Sequence, residues 1–287
     1  MNTSLRLRLL TQDDIPFADH VRHLAGWNQT CDDWQRFLQW EPEGCFLAEW
    51  DGTPVGTATT LVYGSELAWI GMVLVLPEYR QRGIGRALLE RCIRHLQQRG
   101  VRCIKLDATP LGKPVYQKLG FQEEWTLTRW VSAQVPARTM NPDPKIRPCQ
   151  DNDLVLIEPL DTTAFGVSRR RIVESLYRSH GNVLVYEAKP GQVAGYGIIK
   201  PGSRAFYLGP LAAESTEVAL ELVAALRLRN PDATIYWDIP DQQTATVAWC
   251  QHESFTAQRS LTRMFLGSNS TPGDPRKQFA LAGPEIG

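Results

Sequence analysis

The chain has 287 residues, of which 43% are hydrophobic and 22% charged, a composition typical of globular proteins rather than disordered or collagen-like ones. Its 31 basic and 31 acidic side chains cancel, which disfavours a strongly basic nucleic-acid-binding protein. No apolar run approaches the ~20 residues that span a bilayer, and the six scattered cysteines, without a CxxC pair, indicate reduced thiols and no zinc site. We therefore expect a cytoplasmic protein that binds no metal, membrane or nucleic acid.

The first half of the sequence predicts an α/β domain with a mixed sheet. Alternating apolar and polar residues favour strands, helical spacing of apolar residues favours helices, and Asp51-Gly52 is a hairpin turn. In chain order these patterns predict a strand at 5–9, a helix beginning at 11–14, a helix at 31–40, strands at 45–50, 54–63 and 67–76, a helix at 85–99, a strand at 101–108, a short helix at 113–119 and a strand at 121–131.

A proline-rich stretch follows the first half. Pro136, Pro142 and Pro144 fall in a segment with few large apolar residues, which is typical of a linker. The sequence therefore predicts a first domain over 1–133, a linker over 134–145 and a second domain over 146–268. Residues 269–287 are rich in Gly, Pro, Ser and Asn, so we expect a flexible tail there.

The second half repeats the order of elements more faintly. Its patterns predict strands at 182–188, 192–199 and 205–211, a helix at 216–229, a strand at 234–239, a short helix at 246–250 and a strand at 259–266. The two halves therefore look like diverged copies of one unit. This inference rests on the order of elements and not on residue identities.

The segment with the strongest chemical signal lies where the predicted strand 67–76 runs into the helix 85–99, through Arg80-Gln81-Arg82-Gly83-Ile84-Gly85. The first turn of a helix offers unpaired N–H groups, and glycines there let the backbone approach a phosphate. Residues 80–118 contain ten Lys or Arg and two acids, which also favours a polyanionic ligand. A Gly-x-Gly turn before a solvated basic helix is the plainer interpretation of the loop taken alone.

Two motifs together resemble the GNAT superfamily of N-acetyltransferases. Arg80, Gly83 and Gly85 match the family's pyrophosphate loop. The family's Tyr-x-Lys-Leu-Gly-Phe pattern is matched further on, by Tyr116, Lys118, Leu119, Gly120 and Phe121. The resemblance covers roughly residues 3–131, and the second half resembles the degenerate domain of tandem members.

The resemblance implies two tandem GNAT-like domains of the α/β (α+β) class, each a mixed, mostly antiparallel sheet flanked by helices. Acetyl-CoA, the implied cosubstrate, would lie between the splayed parallel strands 67–76 and 101–108. The residues expected to hold it are Val73, Leu74, Val75, Arg80, Gln81, Arg82, Gly83, Ile84, Gly85, Arg86, Thr109 and Tyr116. Thr109 stands where the family often has asparagine, which puts that contact in doubt.

The resemblance also implies catalytic residues for direct attack of an amine on the thioester. Tyr116 matches the tyrosine that protonates the departing thiolate, although it could instead only pack on the cofactor arm. Asp107 or Glu66 could take the amine's proton, through water in the case of Asp107. The alternatives are a turn role for Asp107 and a water chain with no single base.

The acceptor site implied by the family would involve the loop between the first two helices and the central strand. We expect Trp27, Asn28 and Trp69 to contact the acceptor, with Asp161 of the second half as a further contact. The alternatives are that the tryptophans belong to the core and that Asp161 lies at a helix entry.

The second half lacks the elements of a phosphate loop. After the strand 205–211 it has no glycine pair or arginine, and Glu214 and Glu217 would repel a pyrophosphate. We therefore expect one acetyl-CoA site, in the first domain, and a small primary amine as acceptor, in a monomer or homodimer. The alternatives are a protein or peptide N-acetyltransferase, a non-catalytic acyl-CoA sensor and a nucleic-acid binder that uses the basic patch.

Overall fold

The computed structural model describes residues 4–132, 142–180 and 182–287, so most of the predicted linker 134–145 lies outside the described residues. In the first half the elements are β1 (Leu5–Leu9), α1 (Ile15–Leu24), α2 (Cys31–Trp40), β2 (Cys45–Trp50), β3 (Thr53–Tyr63), β4 (Leu67–Val75), α3 (Ile84–Gln98), β5 (Cys103–Ala108), α4 (Lys113–Lys118) and β6 (Gln122–Ser132). In the second half they are β7 (Ile146–Pro148), α5 (Asp153–Phe165), α6 (Arg170–His180), β8 (Val183–Lys189), β9 (Gln192–Lys200), β10 (Phe206–Ala213), α7 (Thr216–Leu228), β11 (Ile235–Pro240), α8 (Thr244–His252), β12 (Phe255–Gly267) and β13 (Gln278–Ala280).

One continuous sheet crosses both halves. Its order is β1-β2-β3-β4-β5-β12-β6-β11-β10-β9-β8-β7, and β13 pairs with β10. The halves exchange strands, because β12 of the second half lies between β5 and β6 of the first, and β6 in turn pairs with β11. Each half thus completes the sheet of the other.

The two halves repeat each other in side-chain contacts as well as in the order of strands. Arg8 at the end of β1 binds Asp14 at 2.7 Å and Glu49 at 2.7 Å. In the second half, Arg147 of β7 binds Asp153 at 2.6 Å and Glu187 at 2.8 Å. The matching sequence separations and partners support the interpretation of the halves as diverged copies.

The sheet of the first half carries a separate apolar layer on each face. One layer packs α3 and α4 against the sheet around Leu88, Leu106 and Phe121. The other packs α1, α2 and parts of the second half around Trp34, Trp69 and Ile286. A ligand that lies between the strands would therefore contact both apolar layers.

The segment 278–287 differs from the flexible tail expected for 269–287. Phe279, Leu281 and Ile286 are at most 3% exposed, and β13 pairs with β10. Composition suggested a tail because glycine and proline are frequent there, but the apolar residues between them fill a groove between the two halves. A membrane-crossing helix, long and apolar enough to span a bilayer, does not occur in the described parts of the chain.

Candidate active site

The site lies where the parallel strands β4 and β5 separate. The paired residues are Leu67 and Cys103 at the start and Trp69 and Lys105 at the end, and the pairing of the two strands stops there. At Met72 the backbone has φ +51°, and the Thr57 hydroxyl donates to the Met72 carbonyl at 2.9 Å. This bulge shifts the pairing of β4 with β3 and leads β4 away from β5. The gap opens into a cleft of about 440 Å³.

The loop before α3 is built to bind an anion. Gly83 is the residue before the first helical turn and has φ +81°, and Gln81 has φ +63°. The N–H groups of residues 81–86 find no hydrogen-bond acceptor in the described chain. A Cβ on Gly83 would meet nothing within 4 Å. The residues therefore fit a pyrophosphate, because a row of unpaired N–H groups meets the positive end of the helix dipole in open space.

The arginines of this loop stabilise its conformation and give it positive charge. Arg80 Nε donates to the Val75 carbonyl at 3.1 Å, which ties the loop to the end of β4. Arg82 lies over the rings of Trp50 and Tyr79 at 5.5 and 5.1 Å. Arg86 pairs with Glu90 at 2.8 Å on the solvent side of α3. The expected contacts of 80–86 with a pyrophosphate stay a prediction, and this geometry is compatible with them.

Tyr116 projects from α4 into the cleft. Its ring is half-buried, and its hydroxyl makes no hydrogen bond to any described residue. Burial raises its pKa to about 12. Val73 and Thr109 also line this cleft. Leu74 lies in the apolar layer of α1 and α2, and Val75 packs beside Gly85. A neutral phenol thus lies where it can donate a proton across the gap.

The structure disagrees with both expected bases. Asp107 lines the cleft, but its two oxygens are held by Arg263 Nε and Nη2 at 2.9 and 3.0 Å. Glu66 lies before β4 and pairs with Arg102 at 3.1 Å. At ~3.3 Å per residue along a strand, Glu66 is about 20 Å from Met72. Neither carboxylate is therefore free at the point where the strands part.

Of the four residues expected to contact the acceptor, one lines the cleft and three have structural roles. Trp27 lines the cleft. Asn28 binds the backbone of Arg204 and Ala205, and lines a second cavity of about 260 Å³ beyond it. Trp69 is fully buried and donates to the Pro284 carbonyl at 2.9 Å.

Asp161 lies inside α5 and not at a helix entry. It makes a buried two-point ion pair with Arg169 at 2.9 Å and accepts a hydrogen bond from Tyr196. It does not line the cleft, and an acceptor contact is not compatible with this network.

Three polar side chains of the cleft were not predicted as site residues, namely Gln29, Arg259 and Glu285. Gln29 adjoins the expected Asn28, and its position in the same loop was the only available signal. Arg259 and Glu285 reach the cleft through the exchanged strand β12 and the segment 278–287. Contacts over more than two hundred residues leave no local pattern in the sequence.

Comparisons with known proteins agree with this geometry. The acetyltransferase (GNAT) family matches residues 14–121, and a second acetyltransferase (GNAT) domain matches residues 157–280. The chain belongs to the GNAT acetyltransferase family. It is a tandem GNAT protein and, by family, an acyltransferase.

Two curated relatives and one solved structure show how far the likeness extends. Holothin acyltransferase of Pseudoalteromonas sp. is 27% identical over 266 residues, which cover 91% of this chain and 87% of that protein. The uncharacterized N-acetyltransferase YitH of Bacillus subtilis is 26% identical over 179 residues, and this match spans 62% of each protein. A candidate acetyltransferase from Pyrococcus horikoshii superposes with a TM-score of 0.83 at 24% identity, covering 99% of this chain and 96% of that one. The likeness to that structure shows the fold.

The second GNAT unit has its strand gap filled by the chain itself. The parallel strands β10 and β11 separate after Leu208 and Trp237, as β4 and β5 do in the first unit. β13 lies in that gap, where Trp237 Nε1 donates to the Phe279 carbonyl at 2.8 Å and Leu281 N donates to Asp238 at 3.2 Å. β13 also pairs with β10 at Leu211 and Ala212, on the strand that corresponds to β4 of the first unit, so this strand is already paired where a pantetheine arm would lie in a GNAT unit.

The turn before α7, at the corresponding position of the second unit, also differs from the loop before α3. Ser215 precedes α7, and its side chain accepts from the N–H of Val218 at 3.4 Å. A serine cap satisfies a donor that the first unit leaves open at Gly83. Glu214 and Glu217 stand beside it.

Proposed function

We propose that the protein transfers an acetyl group from acetyl-CoA to a primary amine of a small molecule, at one site, in the cleft between β4 and β5. The observation that carries this proposal is the contrast between the two GNAT units. The first has open N–H groups at 81–86 and an unpartnered tyrosine in its gap, whereas the gap of the second is filled by β13.

The residues of the first unit support direct transfer. The N–H groups of 81–86 and the edge of β4 hold and orient the thioester, which supplies the acetyl group. The amine nitrogen forms a bond to the acyl carbon, and the carbon–sulfur bond breaks. Tyr116 gives its proton to the sulfur, because its raised pKa keeps the phenol neutral while the thiolate forms.

The walls of the cleft support a small acceptor rather than a protein side chain. Pro284 and Glu285, from the segment 278–287, line the cleft together with Trp27 and Gln29. An acyl-CoA sensor would bind the thioester without consuming it, so release of free thiol separates the two functions. The unpartnered hydroxyl of Tyr116 favours the enzyme.

Substitution of Gly83 by glutamate tests the cofactor assignment. In Gly83→Glu, a carboxylate would face the unpaired N–H groups, and we expect acetyl-CoA affinity to fall at least about 100-fold, since several charge-assisted hydrogen bonds are lost. Calorimetric titration measures the affinity, and thiol release with a panel of amines measures turnover.

The matched control is Gly64→Glu. Gly64 has φ +70° and nothing within 4 Å of a Cβ, so it carries a backbone strain similar to that of Gly83, in the exposed turn before β4, at the other end of that strand from the loop. We expect Gly64→Glu to bind acetyl-CoA as the parent does. Equal binding by both variants would remove the loop from the cofactor site.

A further inference from the structure

Two buried polar atoms in the cleft have no partner among the described residues. Gln29 Oε1 needs a hydrogen-bond donor, and Arg259 Nε needs an acceptor. Both side chains line the same cleft as Tyr116. A buried polar atom without a hydrogen-bond partner lowers the stability of the folded protein. The cleft contains one unpaired acceptor and one unpaired donor, and this pair fits a ligand that supplies both a donor and an acceptor.

Glu285 stands beside Gln29, with its carboxylate fixed at the mouth of the gap. It is 4% exposed, and Gln29 Nε2 donates to its Oε2. Its main chain packs on β4 so closely that a Cβ on Gly71 would come within 2.6 Å of the Glu285 carbonyl oxygen. This contact places Glu285 one residue from the bulge at Met72, where the two strands part.

Glu285 and Tyr116 reach the gap from opposite faces of the sheet. Tyr116 packs against the apolar layer of α3 and α4. The neighbours of Glu285, namely Ile286 and Trp27, belong to the layer of α1 and α2. A nucleophile that enters from the Glu285 side would attack an acyl carbon in the gap, while the leaving sulfur departs toward Tyr116.

The surroundings of Glu285 raise its pKa. Burial is the largest cause, opposed by Lys200, and the carboxylate of Asp33 raises the pKa further. The titratable and charged groups that face Glu285 from the packed elements are Asp33, Lys200, Arg129, Tyr207, Arg259 and Tyr63. A carboxylate with a raised pKa is a stronger proton acceptor than an ordinary glutamate.

Arg259 differs from every cation around it. Arg129 binds Asp238 at 2.7 and 2.6 Å, Arg263 binds Asp107, and Lys200 binds Asp33 at 3.1 Å. Arg259 makes no ion pair with a described residue, and burial lowers its pKa. A partly buried guanidinium beside Arg129 is stabilised by an anion in direct contact, and no described carboxylate makes such a contact, although Asp238 and Glu285 act on it from a greater distance.

We propose that the acceptor is an amine that also carries an acidic group, with an amino acid as the chemical class. Its nitrogen binds at Gln29 Oε1 and Glu285, and its carboxylate binds Arg259. Glu285 takes the first proton from the ammonium group, which frees the lone pair for attack. The nitrogen loses a second proton as the amide forms, and that proton replaces the one that Tyr116 gave to sulfur. One proton leaves through Glu285 to solvent. This inference rests on the proposed acetyl transfer at the same cleft.

The test compares two matched pools of acceptors with the full chain and acetyl-CoA. One pool contains free amino acids, and the other contains the corresponding amino-acid amides, which keep the amine and lack the acid. We expect thiol release to be at least about 10-fold faster with the acids, since one charge-assisted hydrogen bond is at stake. Calorimetric binding of acetyl-CoA is measured in parallel.

Two variants assign the roles within the cleft. In Arg259→Gln, we expect the KM of the best amino acid to rise about 10- to 100-fold, the KM of its amide to stay unchanged, and the preference between them to disappear. In Glu285→Gln, we expect kcat to fall at least about 100-fold and the rise of the rate with pH to disappear, because the deprotonated carboxylate is the active form. Arg178→Gln, on the exposed face of α6, is the control for both.

The outcomes separate this inference from the function on which it rests. Absence of acetyl-CoA binding would overturn the proposed function itself. Acetyl-CoA binding with equal use of acids and amides, or with use of neither pool, would overturn the amino-acid assignment alone. A Glu285→Gln variant that keeps its melting temperature, its kcat and its pH profile would remove Glu285 as the proton acceptor.

Discussion

Tyr116 is the residue whose surroundings say most about the chemistry of the cleft. Its hydroxyl has no partner among the described residues, and burial raises its pKa to about 12. At neutral pH the phenol is therefore protonated and available as a donor. The pKa of a thiol in water lies only ~1–2 units below that of a phenol, and burial in the same gap raises the pKa of both groups, so a thiolate that forms there can take the proton from the phenol.

The first prediction concerns the hydroxyl of Tyr116. We expect Tyr116→Phe to lower kcat about 100- to 1,000-fold, the usual contribution of a positioned proton donor, and to leave the acetyl-CoA dissociation constant within about threefold. Tyr177→Phe is the control, because Tyr177 lies on α6 and donates its hydroxyl to exposed Asp151. A full rate in Tyr116→Phe, measured by thiol release, would mean that the tyrosine only packs in the cleft.

Local spacing identified the residues whose partners are close in sequence. The loop glycines and Tyr116 follow from patterns within a few residues. The ion pair of Asp107 with Arg263 could not be predicted, because these residues are 156 positions apart. Glu285 could not be found at all, since its contact with Gln29 joins residues 256 apart.

The segment 278–287 is the element that joins the two GNAT units. Its strand β13 fills the gap of the second unit, and its continuation forms a wall of the cleft in the first. Phe279 is 1% exposed and packs in the core of the second half. The segment therefore stabilises the fold and shapes the acceptor side of the site at the same time.

A second prediction tests the structural role of this segment. We expect Phe279→Ala to lower the free energy of unfolding by about 3–5 kcal/mol, the usual cost of a large aromatic cavity. Leu111→Ala, at a side chain that is 81% exposed, should change it by less than about 0.5 kcal/mol. Denaturant titration measures both, and a change below 1 kcal/mol in Phe279→Ala would show that the segment is loosely held.

Several elements with a clear pattern were predicted, whereas α5, α6 and β13 were not. The alternation in β1, the hairpin turn after β2 and the helical spacing in α2 gave the observed bounds. α6 was missed although its apolar residues also have helical spacing. β13 has three residues, all buried, and so shows no alternation. α5 contains Pro159 and has apolar residues on most sides, which hides its helical period.

The whole molecule is one sheet made by two similar halves that exchange strands. The domain bounds 1–133 and 146–268 stay a prediction, although the family matches fall within them except for residues 269–280. The order of the predicted helices and strands correctly indicated that the two halves are copies of one unit. Strand order could not be predicted, because the pairing of β12 with β5 depends on contacts across more than 150 residues.

At the scale of the whole chain, both units contribute residues to the proposed site. The first contributes Tyr116 and the loop at 81–86, and the second contributes Arg259 and Glu285. The second unit keeps the GNAT topology but fills its own gap, which explains why a repeated fold is expected to yield a single site.

The most direct test is a calorimetric titration of the intact chain with acetyl-CoA, with free CoA and an unrelated nucleotide as controls. We predict one site per chain, lost in Gly83→Glu and retained in Gly64→Glu. Two sites per chain would contradict the closure of the second unit by β13. No binding would contradict the assignment of the loop at 81–86 as the cofactor site.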